Sequence, residues 1–156
     1  MDKKINIFGL DGTLTNDEKK ITPKTKEALM DIQKRGHIVA LASGRPTPGM
    51  GFIAKELELE KYGGYVMSFN GGKIIDWKTK ETVFENTLDR KYLPDLIRYA
   101  RQNNLGLITY DNKQGLVATR VDPYVMLETV KIKQNTSIFN RCSKVCGLHP
   151  NNAFTL

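Results

Sequence analysis

At 156 residues, 40% of them hydrophobic, the chain has material for one compact domain or for a domain plus a fragment. No apolar run is long enough to cross a membrane, and Met1-Asp2-Lys3-Lys4 leads into too short an apolar stretch for a signal peptide, so a cytoplasmic protein is expected. The net charge of +7 does not mark a nucleic-acid binder, because the basic residues are scattered (Lys19-Lys20, Lys34-Arg35, Arg90-Lys91), each group near acids, and no aromatics interleave with them.

Ile5 to Phe8 reads as a short strand running into Gly9-Leu10-Asp11-Gly12-Thr13. Thr22-Pro23 is a helix start, a hydroxyl cap followed by proline at the first helical position, and Ala28, Leu29 and Ile32 recur on one face before Gly36. His37 to Ala42 is a nearly continuous apolar run, the pattern of a parallel strand buried on both faces. A second helix is expected from Thr47-Pro48, burying Phe52, Ile53 and Leu57, and a third strand from Tyr65 to Phe69. This alternation predicts an α/β fold with a doubly wound parallel sheet.

Beyond Asn70 the pattern changes. Lys73 to Trp77 and Thr82 to Glu85 form an expected hairpin around Lys78-Thr79-Lys80-Glu81. Asp89 caps an amphipathic helix carrying Leu93, Leu96, Ile97 and Ala100. A second hairpin joins Leu107–Tyr110 to Leu116–Thr119, and Asp122-Pro123 opens a last helix to about Lys131. From Thr129 onward there are basic residues (Lys131, Lys133, Arg141, Lys144) and no acid, and periodicity is lost after Gln134. Cys142, Cys146 and His149 make a Cys-x3-Cys-x2-His cluster that is one ligand short of a structural zinc site, and no fourth ligand lies close in sequence.

Three strand ends carry polar residues beside glycines. Asp11-Gly12 follows the first strand, Ser43-Gly44-Arg45-Pro46 the second and Asn70-Gly71-Gly72 the third. Each has an ordinary reading: an Asp-Gly turn, a serine capping its own loop, an Asn-Gly turn into a hairpin. Together they would place a carboxylate, a hydroxyl, an amide and exposed backbone N–H groups around one crevice, which suits an oxyanion.

In order and spacing these motifs resemble the haloacid dehalogenase (HAD) superfamily of phosphohydrolases, in its Cof-type branch, over roughly residues 3 to 130. The resemblance implies an incomplete Rossmann-like parallel-sheet core over residues 1–87 and part of an inserted α/β cap, with an irregular tail, over 88–156. It implies a Mg²⁺-dependent phosphomonoester (sugar phosphate) hydrolase whose partner is a small phosphorylated metabolite, with neither nucleic acid nor membrane. Residue by residue, Asp11 matches the acid/base, its backbone carbonyl also contacting the metal. Gly12 and Thr13 match the adjoining loop, Ser43 and Gly44 the phosphate-hydroxyl loop, and Asn70 and Gly71 the substrate-side loop, while Arg45 orients the cap or substrate. Gly9 stands where the family has its nucleophilic, metal-binding aspartate, and neither Asp2 nor Asp17 lies at the strand end to replace it.

The chain stops inside what would be the cap, before the family's phosphate-binding lysine and late acidic loop, and Lys144 follows no core strand that would give it that role. An inactive or severely impaired chain is therefore expected. The alternatives are an active phosphatase of altered or truncated sequence, and a non-catalytic binder of phosphorylated ligands. Without flanking strands, the first strand would be an exposed edge, which invites self-association.

Overall fold

The computed structural model describes residues 2–111, 115–120 and 123–134. The expectations placed on Asp122, Arg141, Cys142, Lys144, Cys146 and His149 lie outside the described residues. The chain divides after Thr87 into two compact units.

The first unit is built on a five-stranded sheet, β1 (Ile5–Gly9), β2 (Ile38–Ala42), β3 (Gly64–Ser68), β4 (Lys73–Asp76) and β5 (Thr82–Glu85), in spatial order β1-β2-β3-β4-β5. The first three strands run parallel, with Gly9 level with Ala42 and Ala42 level with Met67. The last two are antiparallel, with a register shift between Ile74 and Ile75. Helix α1 (Pro23–Lys34) joins β1 to β2, and α2 (Gly51–Glu56) and α3 (Leu59–Tyr62) join β2 to β3.

The helix starts follow the chemistry of their first residues. Thr22 Oγ1 accepts from the Thr25 N–H at 3.2 Å, and Pro23 occupies the first turn, where a missing N–H costs nothing. Gly36, at φ +87°, ends α1 in the left-handed conformation that glycine adopts freely. The expected second helix is split in three: a 3₁₀ turn at Thr47–Met50, then α2, then α3. The break between α2 and α3 falls at Glu58, whose φ of +52° cannot continue a right-handed helix. The third strand ends one residue before the expected limit, because Phe69 also turns left-handed, at φ +53°.

The core lies on one face of the sheet. Val39, Leu41 and Val66, none more than 0% exposed, pack with Leu29 of α1, Ile53 and Ala54 of α2, Leu57, and Leu59 of α3. Each such aliphatic side chain contributes about 1.5–3 kcal/mol by leaving water. Gln33 of α1 is buried and donates from Nε2 to the Leu57 carbonyl at 3.0 Å, tying the two crossovers together.

The α/β, Rossmann-like expectation holds, with both parallel crossovers among the described residues on one face of the sheet. The strand order runs in one direction, so both parallel crossovers travel the same way, and crossovers of one hand then place their helices on the same face. On the opposite face, edge strand β1 leaves Ile5 57% and Ile7 59% exposed. Among the described residues β1 pairs with β2 alone.

The second unit holds a two-stranded antiparallel ribbon, β6 (Ile108–Asp111) and β7 (Gly115–Ala118), with α4 (Leu93–Gln102) and α5 (Pro123–Gln134). Asp89 caps a 3₁₀ turn, Arg90–Tyr92, that leads into α4. Ala100 and Val125 are buried, and the Tyr110 hydroxyl donates to Glu128 at 2.9 Å. No described helix is long and apolar enough to cross a membrane.

Gly64 begins β3 where a Cβ would lie 2.5 Å from the Val39 carbonyl oxygen, a backbone atom that cannot yield without breaking the β2–β3 ladder. Gly51, by contrast, would place a Cβ in ordinary contact with Trp77, at 3.6 Å. Gly64→Ala is expected to destabilise the chain by about 3 kcal/mol in urea unfolding, whereas Gly51→Ala is neutral or stabilises it by about 0.5 kcal/mol.

Candidate functional site

Because β1, β2 and β3 are parallel and in register, their carboxyl ends lie side by side, and the three polar loops emerge from one edge of the sheet. At the end of β1 the chain turns through Gly12, at φ +75°. The turn is closed by Leu14 N–H to the Gly9 carbonyl at 3.1 Å and Thr15 N–H to the Leu10 carbonyl at 3.0 Å, while Leu10 and Leu14 anchor it in the core. Asp11 is thereby lifted to the surface.

Arg45 grips Asp11 from the neighbouring loop. Its Nη2 donates to Oδ1 at 2.6 Å and its Nε to Oδ2 at 3.1 Å, a two-pronged geometry that fits the planar guanidinium to a carboxylate. Lys19 adds a third contact, Nζ to Oδ1 at 3.0 Å. Both carboxylate oxygens are therefore held by cations. Its hydrogen bonds hold the Asp11 carboxyl below the ordinary aspartate range; partial burial opposes this, and Lys19 acts with Arg45. A carboxyl held ionised in this way is a poor proton donor.

The second and third loops are pinned to each other. Asn70 N–H donates to the Ser43 carbonyl at 3.1 Å and Phe69 N–H to the Arg45 carbonyl at 3.0 Å. Ser43 N–H donates to the Met67 carbonyl at 3.0 Å, and the Ser43 hydroxyl accepts from Arg45 N–H at 3.2 Å, closing its own turn. The N–H groups of Ser43, Arg45, Phe69 and Asn70 are thus spent inside the protein. The expected cradle of exposed N–H groups is not formed by these four. Gly44 abuts Asn70 so closely that a Cβ there would meet Asn70 Oδ1 at 2.8 Å. Phe69, Asn70 and Gly71 are three successive left-handed residues, at φ +53°, +55° and +88°. Such backbone in a phenylalanine costs of order 1–3 kcal/mol and persists only where the surroundings enforce it.

Gly9 ends β1 with room above it. A Cβ there would meet Thr13 Oγ1 at 3.6 Å and Thr13 Cβ at 3.9 Å, both ordinary contacts. The strand end can accept a side chain but carries none.

Two participants were not singled out from the sequence. Lys19 reads there as scattered surface charge, yet the Asn16–Lys20 turn folds it back onto Asp11. Lys20 N–H donates to Asn16 Oδ1 at 3.0 Å, Lys19 N–H donates to the Asn16 carbonyl at 2.9 Å, and Lys19 sits at φ +62°. An asparagine opening a turn was the available signal. The other is a hydroxyl pair beneath the loops, Thr47 Oγ1 and buried Ser68 Oγ, 2.7 Å apart.

Mg²⁺ asks for several oxygen donors in near-octahedral array. Gly9 supplies no carboxylate, Asp11 has both oxygens on cations, and no group of three or more His, Cys, Asp or Glu side chains among the described residues could hold a metal ion. This donor set does not fit Mg²⁺.

An open α/β sheet with polar glycine loops at the carboxyl ends of its parallel strands defines a class of proteins that bind ligands at that edge. Within it, the model of haloacid dehalogenase-like hydrolases matches residues 7–146, and the chain belongs to that family. A haloacid dehalogenase-like hydrolase from Bacteroides thetaiotaomicron is 43% identical, superimposes with a TM-score of 0.75, and is matched over 84% of this chain and 49% of its own. "Putative phosphatase M6_Spy0533" of Streptococcus pyogenes is 33% identical over 88 residues, 56% of this chain and 33% of that protein. "Putative phosphatase MG265" of Mycoplasma genitalium is 27% identical over 155 residues, 92% of this chain and 53% of that one. A solved sugar phosphatase of HAD subclass IIB shares the fold at 15% identity, with a TM-score of 0.65 over 86% of this chain and 50% of its own. The chain thus spans from a third to about half of the length of these proteins.

The depressed pKa of Asp11 fixes the sign of its pH dependence. Its contribution to stability is complete above the ordinary value of 3.8 and is lost as pH falls through the lower, folded value. Asp11→Asn is therefore expected to destabilise the protein at neutral pH, with the difference vanishing in acid melts. Arg45→Met should move the carboxyl titration of Asp11, followed by ¹³C NMR, up toward its ordinary position.

Proposed function

We propose that this chain is a phosphomonoester hydrolase by lineage, of the Cof-type branch, that keeps the phosphate-facing loops and turns over its ligand slowly or not at all. The ligand is a small phosphorylated metabolite of the sugar phosphate kind, and the working location is the cytoplasm. Residues 1–87 correspond on this reading to the amino-terminal part of the family's core and 88–156 to part of its cap.

One observation carries the reading: Gly9 stands at the end of β1, where the family resemblance puts the attacking aspartate. Glycine offers neither a nucleophile nor a metal ligand, and loss of a covalent nucleophile lowers rate on the order of 10³- to 10⁶-fold. The Arg45 clamp argues in the same direction, since a carboxyl held ionised protonates a leaving group poorly.

The test is hydrolysis of p-nitrophenyl phosphate with Mg²⁺ by wild type, Asp11→Asn and Gly9→Asp. Wild type and Asp11→Asn are expected to match the blank, while Gly9→Asp folds normally, given the space above Gly9. Turnover by wild type that Asp11→Asn abolishes would overturn the proposal.

Self-association through β1 is proposed alongside. The support is a strand that is an edge among the described residues and whose Ile5 and Ile7 are more than half exposed, because strand edges with apolar side chains recruit further strands. Sedimentation of wild type should show concentration-dependent association that Ile7→Lys reduces; a strict monomer at every concentration would count against it.

A further inference from the structure

We infer that the strand-end crevice takes a phosphate group without a divalent cation, Arg45 and Lys19 supplying the positive charge directly. This rests on the lineage reading above only in placing phosphate at these loops.

The argument begins with counting charge. Two cations, Arg45 and Lys19, converge on one carboxylate, Asp11, and leave a net single positive charge at the crevice. An aspartate at position 9 would cancel that charge and oppose a phosphate dianion unless a metal ion entered with it. Glycine at position 9 removes the repulsion and the metal ligand in one step. The same absence that weakens Mg²⁺ binding therefore makes Mg²⁺ unnecessary for holding an anion.

Donor geometry supports this. Lys19 is 57% exposed and places one contact on Asp11, which leaves other N–H bonds of its ammonium for a ligand. Arg45 uses Nε and Nη2 on Asp11 and reaches the Gly49 carbonyl from Nη1 at 3.5 Å, a long contact that an incoming oxyanion would readily replace. The Ser43 hydroxyl accepts from Arg45 N–H and keeps its own proton to donate. The N–H groups of Ser43, Arg45, Phe69 and Asn70 are already engaged, which shifts recognition at these two loops toward side chains.

The test titrates inorganic phosphate into the full chain by calorimetry, once in EDTA and once in millimolar Mg²⁺. Affinity is expected to agree within about twofold between the two conditions, and Lys19→Met, a surface change that leaves folding intact, to weaken it about fivefold. Gly9→Asp should weaken binding in EDTA and make it respond to Mg²⁺. Binding that needs Mg²⁺ in the wild type would overturn the inference and leave the lineage reading standing. Binding that Lys19→Met and Arg45→Met both leave unchanged would place the anion elsewhere and also overturn it. No binding in either condition would remove the inference and the phosphate-site reading together.

Discussion

The burial of β2 between two parallel neighbours sets the level at which every functional loop begins. Val39 and Leu41 are sealed against α1, α2 and α3, and the ladders on either side lock Gly9, Ala42 and Met67 into register. A slip of one residue would turn the core side chains outward, so the register is held by hydrophobic packing as much as by hydrogen bonds. The loops after β1, β2 and β3 then have no choice but to meet. Their further cohesion is polar: two backbone bonds join the Ser43 and Asn70 loops, and the Thr47–Ser68 hydroxyl pair lies beneath them.

On that platform the carboxylate that follows β1 is committed to cations. Gly9 ends β1 without a side chain, and the Asp11 carboxylate satisfies Arg45 and Lys19. The arrangement resembles a structural ion pair on the scaffold of a catalytic one. Its position at the edge of a parallel sheet favours an anionic ligand, and under the proposed function ligand recognition and chemical turnover become separable properties of the same loops.

Much of the first unit is legible in the sequence. The Thr22-Pro23 cap, the buried run ending at Ala42 and the strand Thr82–Glu85 follow from local rules and occur where those rules place them. The hairpin of the second unit is found with β6 beginning at Ile108 and β7 at Gly115, each a residue from the expected limit, because Leu107 and Thr119 pair through the Thr119 hydroxyl and both backbones. What escaped reading depends on left-handed backbone at residues other than glycine. Glu58 splits a helix, Phe69 shortens a strand and Lys19 swings a charge into the site, and none of these residue types announces such a conformation. Arg45 and Asp11 are each legible as site residues, but their pairing is not, since a bidentate pair across 34 residues exists only once the two loops are brought level.

The spatial order of the sheet, β1 through β5, is also its order along the chain. Each strand's partner is the strand synthesised just before it, so none must wait for a later part of the chain to begin pairing. A chain emerging from the ribosome could zip this sheet up strand by strand, each hairpin or crossover docking on a template already in place. Such a vectorial route would let the first unit reach its native pairing while the second is still being made.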